Sequence, residues 1–415
     1  MMSDILTKMD AIKAKKFNID ATRGKPCFEI VAKCDNLINA PLENFIAENG
    51  TDVRNYGGAD GLPEMKRLFA QLLDVKLEEI IVGGNSSLSM MYDCIATLIL
   101  SGQWGNTHIC CQNLLTHNGV QKPRRTIKFI CPAPGYDRHF AICEYFGIEM
   151  LTVTMTPNGP DMDEVEALAK DENVAGMWCV PVFSNPQGYV YSDDTIRRLA
   201  TMKTAHPHFK ILWDNAYSVH VFNGARPKTI NLMDECRKNG NEARPIMFAS
   251  FSKISVAGAA IACMAVAGDS GTVLRDRLSV QTIGPDKVNQ LRHVRFFKDI
   301  NGIESHMKKI AEILRPKFEK TCDYMEKHLA GTGATFTKPR GGYFVSVETP
   351  LGCAKLTREL CKEMGVLITE AGATFPYGKD PADTNLRFAP TFLSMEELEI
   401  ALEVFCLAVN IAVGK

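Results

Sequence analysis

Phe248-Ala249-Ser250-Phe251-Ser252-Lys253-Ile254-Ser255-Val256-Ala257-Gly258 is the stretch that orders the rest of the chain. The run Ile246-Met247-Phe248 has the make-up of a buried strand, and it stops at a serine-rich turn carrying one lysine ahead of a series of small residues. A lysine at a strand end among small hydroxyl side chains can be held partly dry, which disfavours its charged form and leaves the amine a usable nucleophile. Taken alone, Ser-x-Ser-Lys reads as a loop lysine facing solvent. Two motifs further upstream change that reading.

Residues 174–182 form a strand pattern that ends in Phe183-Ser184-Asn185-Pro186-Gln187-Gly188, and residues 209–213 form another that ends in Asp214-Asn215-Ala216-Tyr217. Helical patterns over 193–203 and 231–238 separate them from each other and from the Lys253 turn, as parallel βα units require. Each strand then delivers a polar residue to the same sheet edge, so Asn185, Asp214, Tyr217 and Lys253 converge although they are far apart in the chain. A carboxylate, an amide, a phenol and an amine around a flat phosphorylated ligand fit pyridoxal 5'-phosphate. The lysine forms the Schiff base, and the carboxylate keeps the pyridine nitrogen protonated so that the ring draws electrons. Asn185 and Tyr217 suit the ring's phenolate oxygen. Lys253, once freed by an incoming amino acid, is the natural base for moving a proton.

Nearer the start, residues 79–82 read as a short strand that breaks at Gly83-Gly84, and Asn85-Ser86-Ser87 opens an apolar helix to about residue 100. Exposed N–H groups and the positive end of a helix dipole attract a phosphate, and the serines add hydroxyl donors. Ordinary helix caps look the same, and neither the Walker spacing nor the dinucleotide fingerprint is present. Strands are predicted over 127–131 and 150–154 with a helix over 139–146, which leaves Tyr136 just past a strand's carboxyl end. There its ring can stack on a flat cofactor or simply pack. In Asn55-Tyr56-Gly57-Gly58-Ala59-Asp60-Gly61-Leu62-Pro63 three glycines imply a tight backbone path displaying Tyr56, with Pro63 at the first turn of a helix through residue 73.

Asn185-Pro186-x-Gly188, Asp214-x-Ala216-Tyr217 and Ser250-x-Ser252-Lys253 resemble, in order and spacing, the signatures of fold-type I pyridoxal-phosphate aminotransferases, class I. With Thr22-Arg23-Gly24-Lys25-Pro26 and Ile283-Gly284-Pro285-Asp286-Lys287-Val288-Asn289-Gln290, the chain looks most like the bacterial aspartate aminotransferase subgroup related to the aminotransferase domain of MocR-type regulators. The resemblance makes Tyr56 the tyrosine that reaches the phosphate of the partner subunit's cofactor. It makes Arg387, in Asn385-Leu386-Arg387-Phe388, the arginine that grips the substrate α-carboxylate. Such enzymes usually carry a phosphate-binding arginine about eight residues after the lysine. Here that region reads Ala259-Ala260-Ile261, so Asn85, Ser86, Ser87, Ser250, Ser252, Tyr56 and a cation such as Lys287 are expected to hold the phosphate.

Composition is in keeping with an enzyme of small molecules. The 415 residues are 46% hydrophobic and 23% charged with a net charge of -1, which offers no footprint for nucleic acid or an anionic membrane. The basic cluster Lys122-Pro123-Arg124-Arg125 reads as a solvated face. No apolar run reaches the roughly 18 residues a membrane helix needs, and residues 1–20 lack a signal peptide's apolar core, so the chain is expected in the cytoplasm. The 14 cysteines are scattered without Cys-x-x-Cys and read as reduced core residues; no metal site is expected.

The resulting expectation is an α/β fold, with a large domain built on a mostly parallel seven-stranded sheet flanked by helices plus a smaller α+β domain. Residues 1–50 form an arm and part of the small domain, 51–300 the large cofactor domain and 301–415 the small domain. The activity implied is transfer of an amino group from aspartate to 2-oxoglutarate by a homodimer with shared active sites. Arg23, Lys25, Lys287 and Arg292 are the cations available to the distal carboxylate. Alternatives are an aromatic or broad-range aminotransferase, a C–S lyase on the same scaffold, or a non-catalytic cofactor-binding effector module. The last is disfavoured, because only about twenty residues precede Thr22 and no basic recognition helix is visible.

Overall fold

The computed structural model describes residues 2–104 and 126–414. The cluster Lys122-Pro123-Arg124-Arg125 lies outside them. Among the described residues the main sheet has eight strands, in the spatial order Ile80–Val82, Ala262–Val266, Pro245–Ser250, Lys210–Asp214, Val174–Cys179, Lys128–Ala133, Glu149–Thr156 and Gly159–Pro160. The strands from Pro245–Ser250 through Glu149–Thr156 are parallel to one another. Ala262–Val266 runs against both its neighbours, so Ile80–Val82 points the same way as the parallel set. The carboxyl ends of six strands therefore share one edge.

Sequence reading predicts seven strands. The eighth is the two-residue Gly159–Pro160, antiparallel to the end of Glu149–Thr156, and so short a segment leaves no periodicity to read. The central strands are near-continuous apolar runs because helices cover both faces. Successive residues divide between two clusters, with Met177, Ile211 and Met247 on one face and Trp178, Leu212 and Phe248 on the other. Lys210 is the exception: its ammonium is buried with one bond of 2.9 Å to the Ala243 carbonyl, and burial pushes its pKa down to about 8.

Two of the connecting helices begin at a side chain that caps them. Ser192 accepts from the Thr195 N–H ahead of Asp193–Thr201, and Asn231 accepts from the Asp234 N–H ahead of Leu232–Lys238. Asp193–Thr201 buries Ile196, Leu199 and Ala200 at helical spacing. Beyond the sheet come the 29-residue helix Ile300–His328, and an antiparallel three-stranded sheet of Thr335–Phe336, Val345–Glu348 and Asn385–Phe388. Helices Ala354–Glu363 and Met395–Ala412 follow, the latter opened by a Ser394/Glu397 capping box. Ile19–Ala21 pairs in parallel with Val366–Ile368, which fastens the start of the chain to its last third. Among the described residues no helix is long and apolar enough to cross a membrane.

Candidate active site

At the shared edge, the Lys210–Asp214 strand places Asp214 4% exposed, with Asn185 at 2% and Tyr217 at 3% beside it. Asp214 Oδ2 lies 3.3 Å from His139 Nε2, close but not aligned for a hydrogen bond, and Oδ1 has no partner. The His139 ring is stacked on Trp178 with centroids 4.2 Å apart and contacts the Tyr136 ring edge-on. A tyrosine and a histidine three residues apart at a helix start thus face one carboxylate. Sequence reading singled out Tyr136 and passed over His139, whose i+3 spacing was the available signal.

Arg387 comes to the same place from the smaller sheet, where it is paired in register with Ser346. Its Nη1 donates to Asp137 Oδ1 at 2.9 Å and to Asn185 Oδ1 at 3.2 Å, Nε donates to Thr369 Oγ1 at 3.4 Å, and the guanidinium lies over the Phe344 ring at 4.8 Å. The bond from Arg387 fixes the Asn185 amide: its oxygen is taken, and Nδ2 is left buried without an acceptor. An unsatisfied acceptor on Asp214 and an unsatisfied donor on Asn185 cost about 1–3 kcal/mol each in a chain alone. A ligand with a protonated ring nitrogen and a ring oxygen satisfies both, so the residues present fit pyridoxal phosphate.

Lys253 is half-buried, its Nζ 4.8 Å from the centre of the Tyr217 ring. Burial, then the Asp214 charge, pushes the Tyr217 phenol far above its ordinary pKa, with Arg387 acting the other way; the Asn185 amide lies beside the phenol without closing a hydrogen bond to it. Tyr136 is pushed up to about 12, chiefly by burial, with Lys253 opposing. Both phenols are therefore neutral donors.

The hydroxyls cluster beside this group. Ser250 Oγ donates to Ser252 Oγ at 3.1 Å, Ser252 Oγ donates to the Asn85 carbonyl at 3.1 Å, and Asn85 Nδ2 donates to the Gly258 carbonyl at 3.3 Å. Ser86 is the N-cap of helix Ser87–Leu100, yet its side chain makes no capping bond and stays available. The arginine-less segment is a short turn, Ala257–Ala259, whose last carbonyl accepts from Asn289 Nδ2 at 2.7 Å.

The remaining sequence candidates are dispersed. Gly24 packs so tightly on Phe344 that a Cβ would sit 2.4 Å from the ring, and the Thr22 carbonyl accepts from Thr369 Oγ1 at 2.9 Å, so the backbone on either side of Arg23 borders the Arg387 neighbourhood. Lys25 instead lies over Phe392 at 3.8 Å. Tyr56, 82% exposed, and Lys287 line a separate cleft with Gly284 and Pro285. Lys287 opens helix Lys287–Phe297 and is buried, its stem against Gly58. Arg292 has a buried Nε without a partner.

The family described as aspartate amino-transferase matches residues 1–415. A relative named aspartate aminotransferase, from Corynebacterium glutamicum, is 41% identical over 416 residues, 99% of this chain and 93% of that one. The crystal structure of an aspartate transaminase from Corynebacterium glutamicum superposes with a TM-score of 0.92 at 41% identity, covering 99% of this chain and 95% of the other. At 19% identity the fold is still shared with LysN, the α-aminoadipate aminotransferase of Thermus thermophilus, with a TM-score of 0.75 over 95% of this chain and 92% of that one. LysN was crystallised with N-(5'-phosphopyridoxyl)-L-leucine. On these matches along its whole length, the chain belongs to the aspartate aminotransferase family, a family of fold-type I aminotransferases.

Proposed function

We propose that the protein moves an amino group between aspartate and 2-oxoglutarate, using pyridoxal phosphate, as a homodimer. The observation that carries the cofactor is the pair of buried, unsatisfied polar atoms, Asp214 Oδ1 and Asn185 Nδ2, on the edge where Lys253 and Tyr217 also stand. Asp214 would hold the ring nitrogen, Asn185 and Tyr217 the ring oxygen, and Tyr136 a ring face. Ser86, Ser250, Ser252, Asn85 and the first turn from Ser87 would hold the phosphate, with Tyr56 contributed by the second copy. When bound, the group supplies an electron sink for negative charge developing at the substrate Cα.

The chain's own residues do the rest. Arg387 offers a guanidinium already steered by Asp137, Asn185 and Thr369 and backed by Phe344, so the α-carboxylate meets a preset fork. Lys253 Nζ would take up and hold the proton from the substrate Cα, work that suits a half-buried amine on a fixed turn. Burial excludes water around Asp214 and Tyr217, which strengthens both of their interactions. The aspartate assignment rests on the similarity to the Corynebacterium glutamicum enzyme, and Arg23, whose neighbour Gly24 packs on the Phe344 ring beneath Arg387, is the candidate cation for the distal carboxylate.

Purified protein should be yellow, and Lys253→Ala should bind the cofactor non-covalently and lose nearly all transamination. Normal turnover by that variant would end the proposal. Paired kinetics with aspartate, phenylalanine and cystathionine fix the substrate, and a kcat/KM no higher for aspartate than for the others would overturn it.

A further inference from the structure

The Lys253 turn is a tight one. The N–H groups of Ile254 and Ser255 both go to the Phe251 carbonyl, at 2.9 and 2.7 Å. The Lys253 carbonyl is taken by side chains instead: His220 Nε2 lies 3.1 Å from it, and the Tyr343 hydroxyl donates at 3.4 Å. A carbonyl only accepts, so Nε2 of His220 carries the ring's proton. The ring is 2% exposed, and burial holds its pKa down to about 4, so it stays neutral at working pH. Its Nδ1 is buried without a partner.

Gly341 and Gly342 explain how these two side chains come together. Gly342 N–H donates to the His220 carbonyl at 2.9 Å, and a Cβ on Gly341 would sit 2.2 Å from that same oxygen. Only glycine lets the backbone approach so closely. The approach sets the Tyr343 ring edge-on to His220, with centroids 5.2 Å apart. Two further buried histidines fasten the next two residues: His306 Nε2 is 2.8 Å from the Ile254 carbonyl, and His293 Nε2 is 2.9 Å from Ser255 Oγ.

We propose that His220 and Tyr343 are positioning residues for Lys253, clamping its main-chain carbonyl so that the flexible side chain swings from a fixed base. The inference rests on the reading of Lys253 as the proton-moving, cofactor-carrying lysine. Neither residue is asked to touch substrate. A lysine side chain has four rotatable bonds, and a loosened base adds backbone freedom to them. The loss then falls on the chemical step and leaves substrate binding to Arg387.

The test uses enzyme reconstituted with pyridoxal phosphate and three variants. Tyr343→Phe removes only the hydroxyl, His220→Leu removes the donor, and His220→Gln keeps one. Expected are a roughly 10- to 100-fold fall in kcat for Tyr343→Phe and His220→Leu with KM within about twofold. Amide hydrogen exchange across residues 251–255 should speed up in those two, and His220→Gln should recover most of both. Unchanged kcat and exchange in Tyr343→Phe, or equal losses in the leucine and glutamine variants, would overturn the clamp. If His220→Leu does not fold, Tyr343→Phe decides alone. Cyanoborohydride treatment followed by peptide mass analysis separates the two levels of inference. Failure to fix cofactor on Lys253 in the unaltered enzyme overturns the cofactor reading and the clamp with it, whereas fixation there with unaffected variants overturns the clamp alone.

Discussion

Asp214→Asn exchanges a buried carboxylate for an amide of the same size, and its effects on folding and on catalysis should have opposite signs. In the chain alone Oδ1 has no partner and Oδ2 only an unaligned histidine at 3.3 Å, in a site 4% exposed. An unsatisfied buried acceptor costs about 1–3 kcal/mol, more when it belongs to a charged group. Asparagine lowers that cost, so the cofactor-free variant should be more stable by about 1–2 kcal/mol, read as a higher urea midpoint at unchanged slope. With cofactor present the same substitution removes a preorganised charge from a water-excluded site. Losses of that kind run to about 10²–10³ in kcat, or about 3–4 kcal/mol. The assay pairs urea unfolding without cofactor against steady-state kinetics with it. A kcat loss below about tenfold, roughly 1.4 kcal/mol, would refute the role given to Asp214. A destabilised cofactor-free variant would refute the claim that its carboxylate is unsatisfied.

Mixing Lys253→Ala with Tyr56→Ala subunits, each expected to be nearly inactive, should restore activity above either parent if a site takes its lysine from one copy and its tyrosine from the other; no gain on mixing would show that one chain completes its own cradle. Ser250→Ala should weaken pyridoxal phosphate binding several-fold, by about 1 kcal/mol, in equilibrium dialysis, with little change in KM for aspartate, and unchanged affinity would remove that hydroxyl from the cradle. Stability should also fall on acidification from about pH 6.5 toward pH 4. Burial depresses His220 and His293 from 6.5 to about 4 each, so the unfolded chain takes up protons that the folded chain refuses, at a cost on the order of 3 kcal/mol per ring once pH reaches the folded pKa. Equal urea midpoints at pH 7 and pH 5 would contradict this.

The parts legible in the sequence were those where neighbouring residues share a task. A buried parallel strand is a continuous apolar run, and its end is marked by the first polar residues after it, which is why the sequence alone puts Asp214, Asn185 and Lys253 on one edge. The features that escaped are joined only in space. His220, His293 and His306 come from three separate segments and hold one turn, and no spacing along the chain relates them. Asp137, one residue after Tyr136, gave no sign that it would meet an arginine 250 positions later. Gly341 and Gly342 stand side by side in the sequence, but nothing in their spacing tells that what approaches them is the backbone of His220.

The absent phosphate arginine bears on how the cofactor would be held. A guanidinium binds phosphate with paired, charge-assisted bonds, and the turn Ala257–Ala259 offers no side chain of that kind. What stands there is neutral: the hydroxyls of Ser250 and Ser252, the free hydroxyl of Ser86, and a helix start. Neutral donors bind a dianion less strongly one by one, so such a cradle gains from a charge brought across from elsewhere. Lys287 is buried and lies in the same cleft as the exposed Tyr56 ring, and no hydrogen bond or ion pair among the described residues engages its ammonium. Arg54 and Asp286 line the same cleft, and in the homodimer proposed above its phenol and cations would face the phosphate of the second copy. If Lys287 supplies the missing charge from there, Lys287→Ala and Tyr56→Ala should weaken cofactor binding in the same subunit arrangement, and in mixed dimers the two defects should follow the same chain.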